Sequence, residues 1–361
     1  MNPTRALHDL GQSIWLDNIT RALISSGTLK KYIDEFSVTG LTSNPTIFNN
    51  AIKGSTDYDA DIVRKTAGGK SGDDLFFELA LDDLTRAADL FRTVHDRTCG
   101  VDGWVSLEVS PLLAYDTKTT LSEAKELSAR ANRPNLFIKI PGTKEGVPAI
   151  EEAIFAGVPI NVTLLFSREQ YLASAEAYLR GIERRIAAGL PAGVTSVASV
   201  FVSRWDTAVA GKVPAELANM LGVAIGQQCY AAYTALLASE RYRRVMNAGA
   251  RPQRLLMAST GTKDPKASDI LYVKGLAAPF TIDTMPENTL KAVADHGGGI
   301  KAIPADGGDC EQVLAKFRKA GVDLDAVAAK LQSDGAESFV KSWNELMGVI
   351  AAKSAELKKA G

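Results

Sequence analysis

The chain has 361 residues, 46% of them hydrophobic and 23% charged, with a formal net charge of -1 at pH 7. A chain of that size and composition buries a substantial core, and its near-zero charge excludes a global field drawing it to nucleic acid or to an anionic membrane. Any anionic ligand must be held by a local cluster, and three dispersed cysteines, Cys99, Cys229 and Cys310, fit neither a disulfide framework nor a CxxC zinc site.

The N-terminal stretch MNPTRALHDLGQSIW carries an acid and no long apolar run, so it does not read as a signal peptide. No stretch reaches the roughly 18 uncharged apolar residues of a membrane span. The expectation is a cytoplasmic protein.

Short apolar or alternating runs recur along the chain, at 13–19, 38–44, 103–109, 135–141, 159–166, 195–203, 254–260 and 281–285. Pro45 follows the second and Pro111 the third. Helical patterns separate or follow them, at 73–97, 122–131, 145–156, 167–188, 214–239 and 338–358. Ser167 with Gln170 three residues on reads as a capping box. Strand followed by helix, repeated about eight times, predicts a parallel α/β architecture. Eight units in one unbroken composition suit a single (β/α)8 barrel domain over 1–361, with additional helices that include a C-terminal one. A doubly wound open sheet is the alternative, and the first run lacks the GxGxxG of a dinucleotide fold.

Side chains two apart in a strand share a face. On that count Trp15 pairs with Asp17, Thr42 with Asn44, Ser106 with Glu108, Phe137 with Lys139, and Asn161 with Thr163. Five strands thus carry polar groups on one face near their C-terminal ends, the end where barrels place their chemistry. Each residue has a plainer reading. Asp17 could cap the helix suggested by TRALISS, Asn44 could turn the chain before Pro45, and Lys139 could pair with a carboxylate for structure alone. Asn161 and Thr163 could be satisfied groups lining the barrel.

The lysine in NLFIKIPG, 135–142, is the most demanding of these residues, because lysine is seldom buried without a partner. Removal from water disfavours an ammonium, and the neutral amine attacks carbonyl carbons to form a Schiff base. The resulting iminium is an electron sink that stabilises the carbanion left by C–C cleavage. Carboxylates with a positioned water would move the protons. Asp17 and Glu108 are the candidates, and Asn44, Asn161 and Thr163 could hold sugar hydroxyls.

These residues sit in segments that resemble the transaldolase family: GLTSNPTIF (40–48), VSLEVSP (105–111), NLFIKIPGTKEG (135–146), INVTLLFS (160–167), SVFVSRWD (199–206) and ASTGTKDP (258–265). The last is similar to the longer bacterial group, and the resemblance covers about 10–350. It implies a class I aldolase-type barrel with no metal or organic cofactor. It implies transfer of a dihydroxyacetone unit from sedoheptulose 7-phosphate to glyceraldehyde 3-phosphate, giving erythrose 4-phosphate and fructose 6-phosphate, within the non-oxidative pentose phosphate pathway. Carried over by position, Lys139 forms the Schiff base, Asp17 is the acid/base for C–C cleavage, and Glu108 with Thr163 holds a catalytic water. Asn44 and Asn161 bind hydroxyls, and Ser199, Arg204 and Ser259 surround the phosphate. Phe201, where a tyrosine would suit an aldolase releasing free dihydroxyacetone, favours transfer. One departure is Gly261, where many family members carry an arginine; Lys263 could supply that charge as a point rather than a fork. The partners implied are sugar phosphates, with neither nucleic acid nor membrane, on a monomer or homodimer.

Other signals fail on spacing. Asp57, Asp59 and Asp61 mimic an EF-hand start, but Ile62 stands where the loop needs glycine and Gly68 where it needs glutamate. His8, His95 and His296 match no metal pattern, and no P-loop is present.

Overall fold

The computed structural model describes residues 2–360. Eight parallel strands close into a barrel in chain order. They are β1 (Ser13–Asp17), β2 (Val38–Thr42), β3 (Trp104–Glu108), β4 (Leu136–Pro141), β5 (Ile160–Leu165), β6 (Ser196–Phe201), β7 (Gln253–Ala258) and β8 (Ile282–Met285). Each falls within or beside an expected run, so the barrel replaces the open-sheet alternative. Outward residues such as Leu136, Ile138 and Ile140 are buried beneath the surrounding helices, as parallel strands covered on their outer face require.

Large rings fill the middle of the barrel. Trp104 stacks on Phe137 with centroids 4.1 Å apart, and Trp15 lies 6.2 Å from Phe137. Gly40 makes room for them: a Cβ there would stand 2.7 Å from both the Trp15 ring and the Trp104 carbonyl. Below the rings, Arg254 donates to the Val101 carbonyl at 3.0 Å, the Thr281 carbonyl at 2.9 Å and Ser13 Oγ at 2.6 Å. Its Nη1 also lies 3.4 Å from Asp102, whose carboxylate accepts from Ser13 Oγ at 2.5 Å and Trp15 Nε1 at 3.1 Å. This network closes the N-terminal end of the barrel.

The six expected helices form with three corrections to their bounds, beside helices the sequence reading did not mark, such as Pro45–Lys53, Glu287–His296 and Cys310–Lys319. The run expected over 122–131 begins at Thr117, where Asp116 accepts from Thr119 N. The run expected over 214–239 is a short 3-10 turn, Ala215–Leu217, followed by the helix Leu221–Ala238. The C-terminal helix spans Leu324–Ala360 and starts 14 residues earlier than the expected 338. Asp323 caps it, accepting from Asp325 N at 3.1 Å and Ala326 N at 3.0 Å. The Ser167–Gln170 capping box forms in both directions.

This long helix crosses the C-terminal mouth of the barrel. Phe339, Trp343, Leu346 and Ile350 are buried, and Trp343 meets Phe76 edge-on with centroids 5.0 Å apart. Lys353 binds the Asp59 carboxylate at 2.7 Å and the Ser55 carbonyl at 2.6 Å. Asp61 is taken up by Arg21 at 2.5 Å. Two acids of the EF-hand-like run therefore act as structural ion-pair partners. No helix among the described residues is long and apolar enough to cross a membrane.

Candidate active site

Strand register gathers the polar residues at one end of the barrel. Glu108 pairs in register with Lys139, Lys139 with Asn161, Pro141 with Thr163, and Asp17 with Thr42. All lie at or near the C-terminal ends of their strands, and their side chains point inward above the Trp15, Trp104 and Phe137 rings. A cavity of about 240 Å³ opens there. Asp17, Asn44, Lys139, Thr163, Ser199 and Phe201 line its strand side, and Arg204, Ser259, Gly261 and Lys263 line its outer side.

Lys139 is 4% exposed at the floor. Its Nζ donates to the Ser43 carbonyl at 2.9 Å and lies 3.3 Å from Glu108 Oε2. That contact is an ion-pair distance without hydrogen-bond alignment, so both Glu108 oxygens lack a hydrogen-bond partner. Burial pushes the Glu108 carboxyl above the usual carboxylate range, while the Lys139 charge pulls it down. Burial likewise raises Asp17, opposed by Lys139 and by the Thr42 hydroxyl, which donates to Asp17 Oδ1 at 2.8 Å. Two carboxyls with raised proton affinity beside one amine form a set able to pass protons. Thr163 Oγ1 is buried in the same layer with no partner.

Several residues have duties that the sequence did not show. Thr20, not Asp17, caps the helix Arg21–Ser25, leaving Asp17 for the cavity. Asn44 both lines the cavity and caps the helix Pro45–Lys53, its Oδ1 accepting from Ile47 N at 3.0 Å. Its amide hydrogens remain for a ligand. Asn161 is fully buried beneath the cavity rather than lining it: its amide donates to Ser106 Oγ at 3.1 Å and its carbonyl accepts from Ser199 Oγ at 2.7 Å. The plainer reading of Asn161, a satisfied barrel residue, thus describes its present bonds.

The outer side is cationic. Arg204 sits in the first turn of the helix Ser203–Val209, with its guanidinium 5.1 Å from the Phe201 ring centroid and 5.9 Å from that of Phe339. Burial lowers its proton affinity, opposed by Asp17 and Glu108. No carboxylate lies within ion-pair distance of Arg204 or Lys263 among the described residues. Ser259 has a left-handed φ of 56°, and its hydroxyl lies 2.9 Å from that of Ser203.

Sequence reasoning missed Thr284, whose hydroxyl meets that of Thr42 at 2.8 Å, and Ser43, whose carbonyl holds Lys139. It also missed the C-terminal helix as a wall of the site, where Ser338 and Phe339 line the cavity. Alternation along β8 would have put Thr284 inward; no local pattern reveals the other two.

Comparison with known proteins agrees with this geometry. The family described as Transaldolase/Fructose-6-phosphate aldolase matches residues 14–350. A transaldolase of Saccharopolyspora erythraea is 44% identical over 353 residues, covering 96% of each chain. A transaldolase of Thermobifida fusca is 43% identical, covering 98% of this chain and 99% of its own. One of Thiobacillus denitrificans is 42% identical, covering 97% of this chain and 100% of its own. The chain therefore belongs to the transaldolase/fructose-6-phosphate aldolase family.

Proposed function

We propose that the chain is a transaldolase: it moves a dihydroxyacetone unit from sedoheptulose 7-phosphate to glyceraldehyde 3-phosphate through an iminium on Lys139. The observation that carries this reading is the Lys139 amine at the floor of an open cavity, 3.3 Å from a buried carboxyl group. Nζ attacks the ketose C2 carbonyl, and the carbinolamine then loses water to give the iminium. Glu108 takes and returns these protons through a water held with Thr163. Asp17 takes the C4 hydroxyl proton as the C3–C4 bond breaks. The bonding electrons pass into the iminium as an enamine, and erythrose 4-phosphate leaves. The enamine carbon attacks the acceptor aldehyde, Asp17 returns the proton to the new hydroxyl, and hydrolysis of the iminium releases fructose 6-phosphate.

Arg204 and Lys263 have no carboxylate partner and line the cavity together with Ser259, which supports reading them as the groups that hold the phosphate. Asn44 and Ser199 also line the cavity, which supports reading them as contacts for the dihydroxyacetone unit. Phe201 offers no hydroxyl with which to activate water against the enamine, which supports transfer over release. The setting is the cytoplasm, as a monomer or homodimer.

Borohydride reduction in the presence of fructose 6-phosphate tests the covalent step. The expected result is irreversible inactivation and a mass adduct on Lys139. Unmodified, active protein would reject the mechanism. Product analysis with and without an aldose phosphate acceptor separates the two family activities: free dihydroxyacetone as main product in both arms would replace transfer by aldol cleavage.

A further inference from the structure

Leu164, next to Thr163 in β5, has a left-handed φ of 57°. For a leucine this conformation is strained and persists only where the surroundings over-determine it. The pairing of β5 with β6 shifts register between Val162 and Leu165 at this same place. The kink leaves the Leu164 carbonyl outside the strand ladder, at a fully buried residue. Gln332 of the C-terminal helix answers it: Nε2 donates to the Leu164 carbonyl at 3.0 Å and to the Gly142 carbonyl at 3.0 Å. Gly142 immediately follows β4, and its own N–H donates to the Thr163 carbonyl at 2.7 Å. One side-chain amide thus ties together the ends of the two strands that carry Lys139 and Thr163.

The helix can come this close because of the residue one turn on. A Cβ at Gly335 would stand 3.0 Å from the Leu164 side chain and 3.2 Å from Arg204 Nη1. Phe339, one further turn along, packs over the same guanidinium. Gln332, Gly335 and Phe339 share a stripe of the helix at spacings of three and four, and that stripe meets the strand ends and the cation of the site.

We infer that Gln332 is a positioning residue for the reaction: by holding the strained Leu164 peptide against the end of β4, it fixes the aim of Thr163 Oγ1 relative to the Lys139 amine. The inference rests on the reading of Lys139 and Thr163 given above. Without the clamp, the kinked peptide turns to find another partner, and the neighbouring Thr163 turns with it. Gln332 bonds to the Leu164 and Gly142 carbonyls and to no residue read as holding the substrate, so substrate binding is left alone.

The test is Gln332→Met, which keeps length and removes both donors, assayed with fructose 6-phosphate as donor and erythrose 4-phosphate as acceptor. The expected result is a fall in kcat of about tenfold or more, since small misplacements near reacting atoms are amplified. KM for fructose 6-phosphate should stay within about twofold, and the melting temperature within about 3 °C. A kcat within about twofold of the parent overturns the inference, as does a loss confined to KM. If Gln332→Met does not fold, the same criteria apply to Gln332→Asn, whose amide falls one methylene short. If neither folds, the role is structural and the inference fails. Borohydride trapping of the folded variant separates the two readings. An adduct on Lys139 with reduced turnover supports both. Failure to trap Lys139 even in the parent chain would remove the lysine reading itself.

Discussion

The two ends of this barrel bury ions in opposite ways. At the N-terminal end, Arg254 is enclosed by carbonyls and hydroxyls and paired with Asp102, and each of its nitrogens has an acceptor. At the C-terminal end, Lys139 and Glu108 are as deeply buried, but Glu108 lacks a hydrogen-bond partner, Thr163 Oγ1 lacks any, and Arg204 has no carboxylate. A satisfied network holds one arrangement and resists change. An unsatisfied one leaves bonding capacity for a catalytic water or a substrate. The difference separates a network whose bonds are filled from one that keeps bonding capacity, on a single scaffold.

The comparison can be broken most sharply at Lys139. Lys139→Ala should lower turnover by about 10⁴-fold or more in a chain that still folds, because the Glu108 carboxyl, already raised by burial, takes up a proton once the ammonium is gone. Normal activity in that variant would end the assignment of the mouth as the reactive end. Arg254→Met should do the converse, destabilising the fold by about 3–5 kcal/mol because Asp102 is left buried without its cation. Its kcat, measured well below the melting temperature, should be near the parent's; a large kcat loss in folded protein would erase the division of labour.

Asp283 stands between these cases. It is fully buried on β8, with Thr260 Oγ1 donating to Oδ1 at 2.7 Å and Oδ2 unpartnered. Burial outweighs that single bond and pushes its carboxyl up to about 7. An unfolded aspartate titrates near ~3.9. The folded chain therefore binds more protons than the unfolded one between those values, and this group's stabilisation is complete below about pH 4 and lost as pH rises through about 7. Asp283→Asn should remove that fall, worth up to about 4 kcal/mol at pH 8. Denaturant melts at pH 5 and pH 8 would show it as a reduced pH dependence, and an unchanged difference between the two would refute it.

Glu108→Gln sharpens the contrast at smaller scale. A proton-passing role predicts a loss of about a hundredfold in kcat with the fold intact, whereas a purely structural pair predicts lowered stability with kcat retained. The smallest expected effect is at Arg204→Ala, where KM for phosphorylated substrates should rise by about tenfold. An equal effect on unphosphorylated analogues would remove its phosphate role.

The strands were legible because their signals are local. Alternation, proline stops and polar residues two apart located all eight, and the same alternation put Asp17, Glu108, Lys139 and Thr163 on the inner face. The C-terminal helix was only half legible. The stretch before 338 contains Asp334 and Gly335, which weaken helix propensity. Its helical state is decided by tertiary packing: Gly335 is there for close approach to Leu164 and Arg204. Arg254 and Asp102 lie 152 residues apart, so nothing local linked an arginine opening one strand to an acid preceding another. Asn161 shows the limit of facing alone. Its side chain points inward as alternation required, yet Ser106 and Ser199 already occupy its bonding groups.

The helix Leu324–Ala360 gives the chain an order of assembly. At 1.5 Å per residue, its 37 residues reach about 55 Å, and they leave the ribosome after every strand of the barrel. A nascent chain would possess the amine, both acids and the closed sheet before its roof arrived. Competence would then switch on late in biosynthesis, when this helix, C-terminal to every strand, docks across the barrel already made.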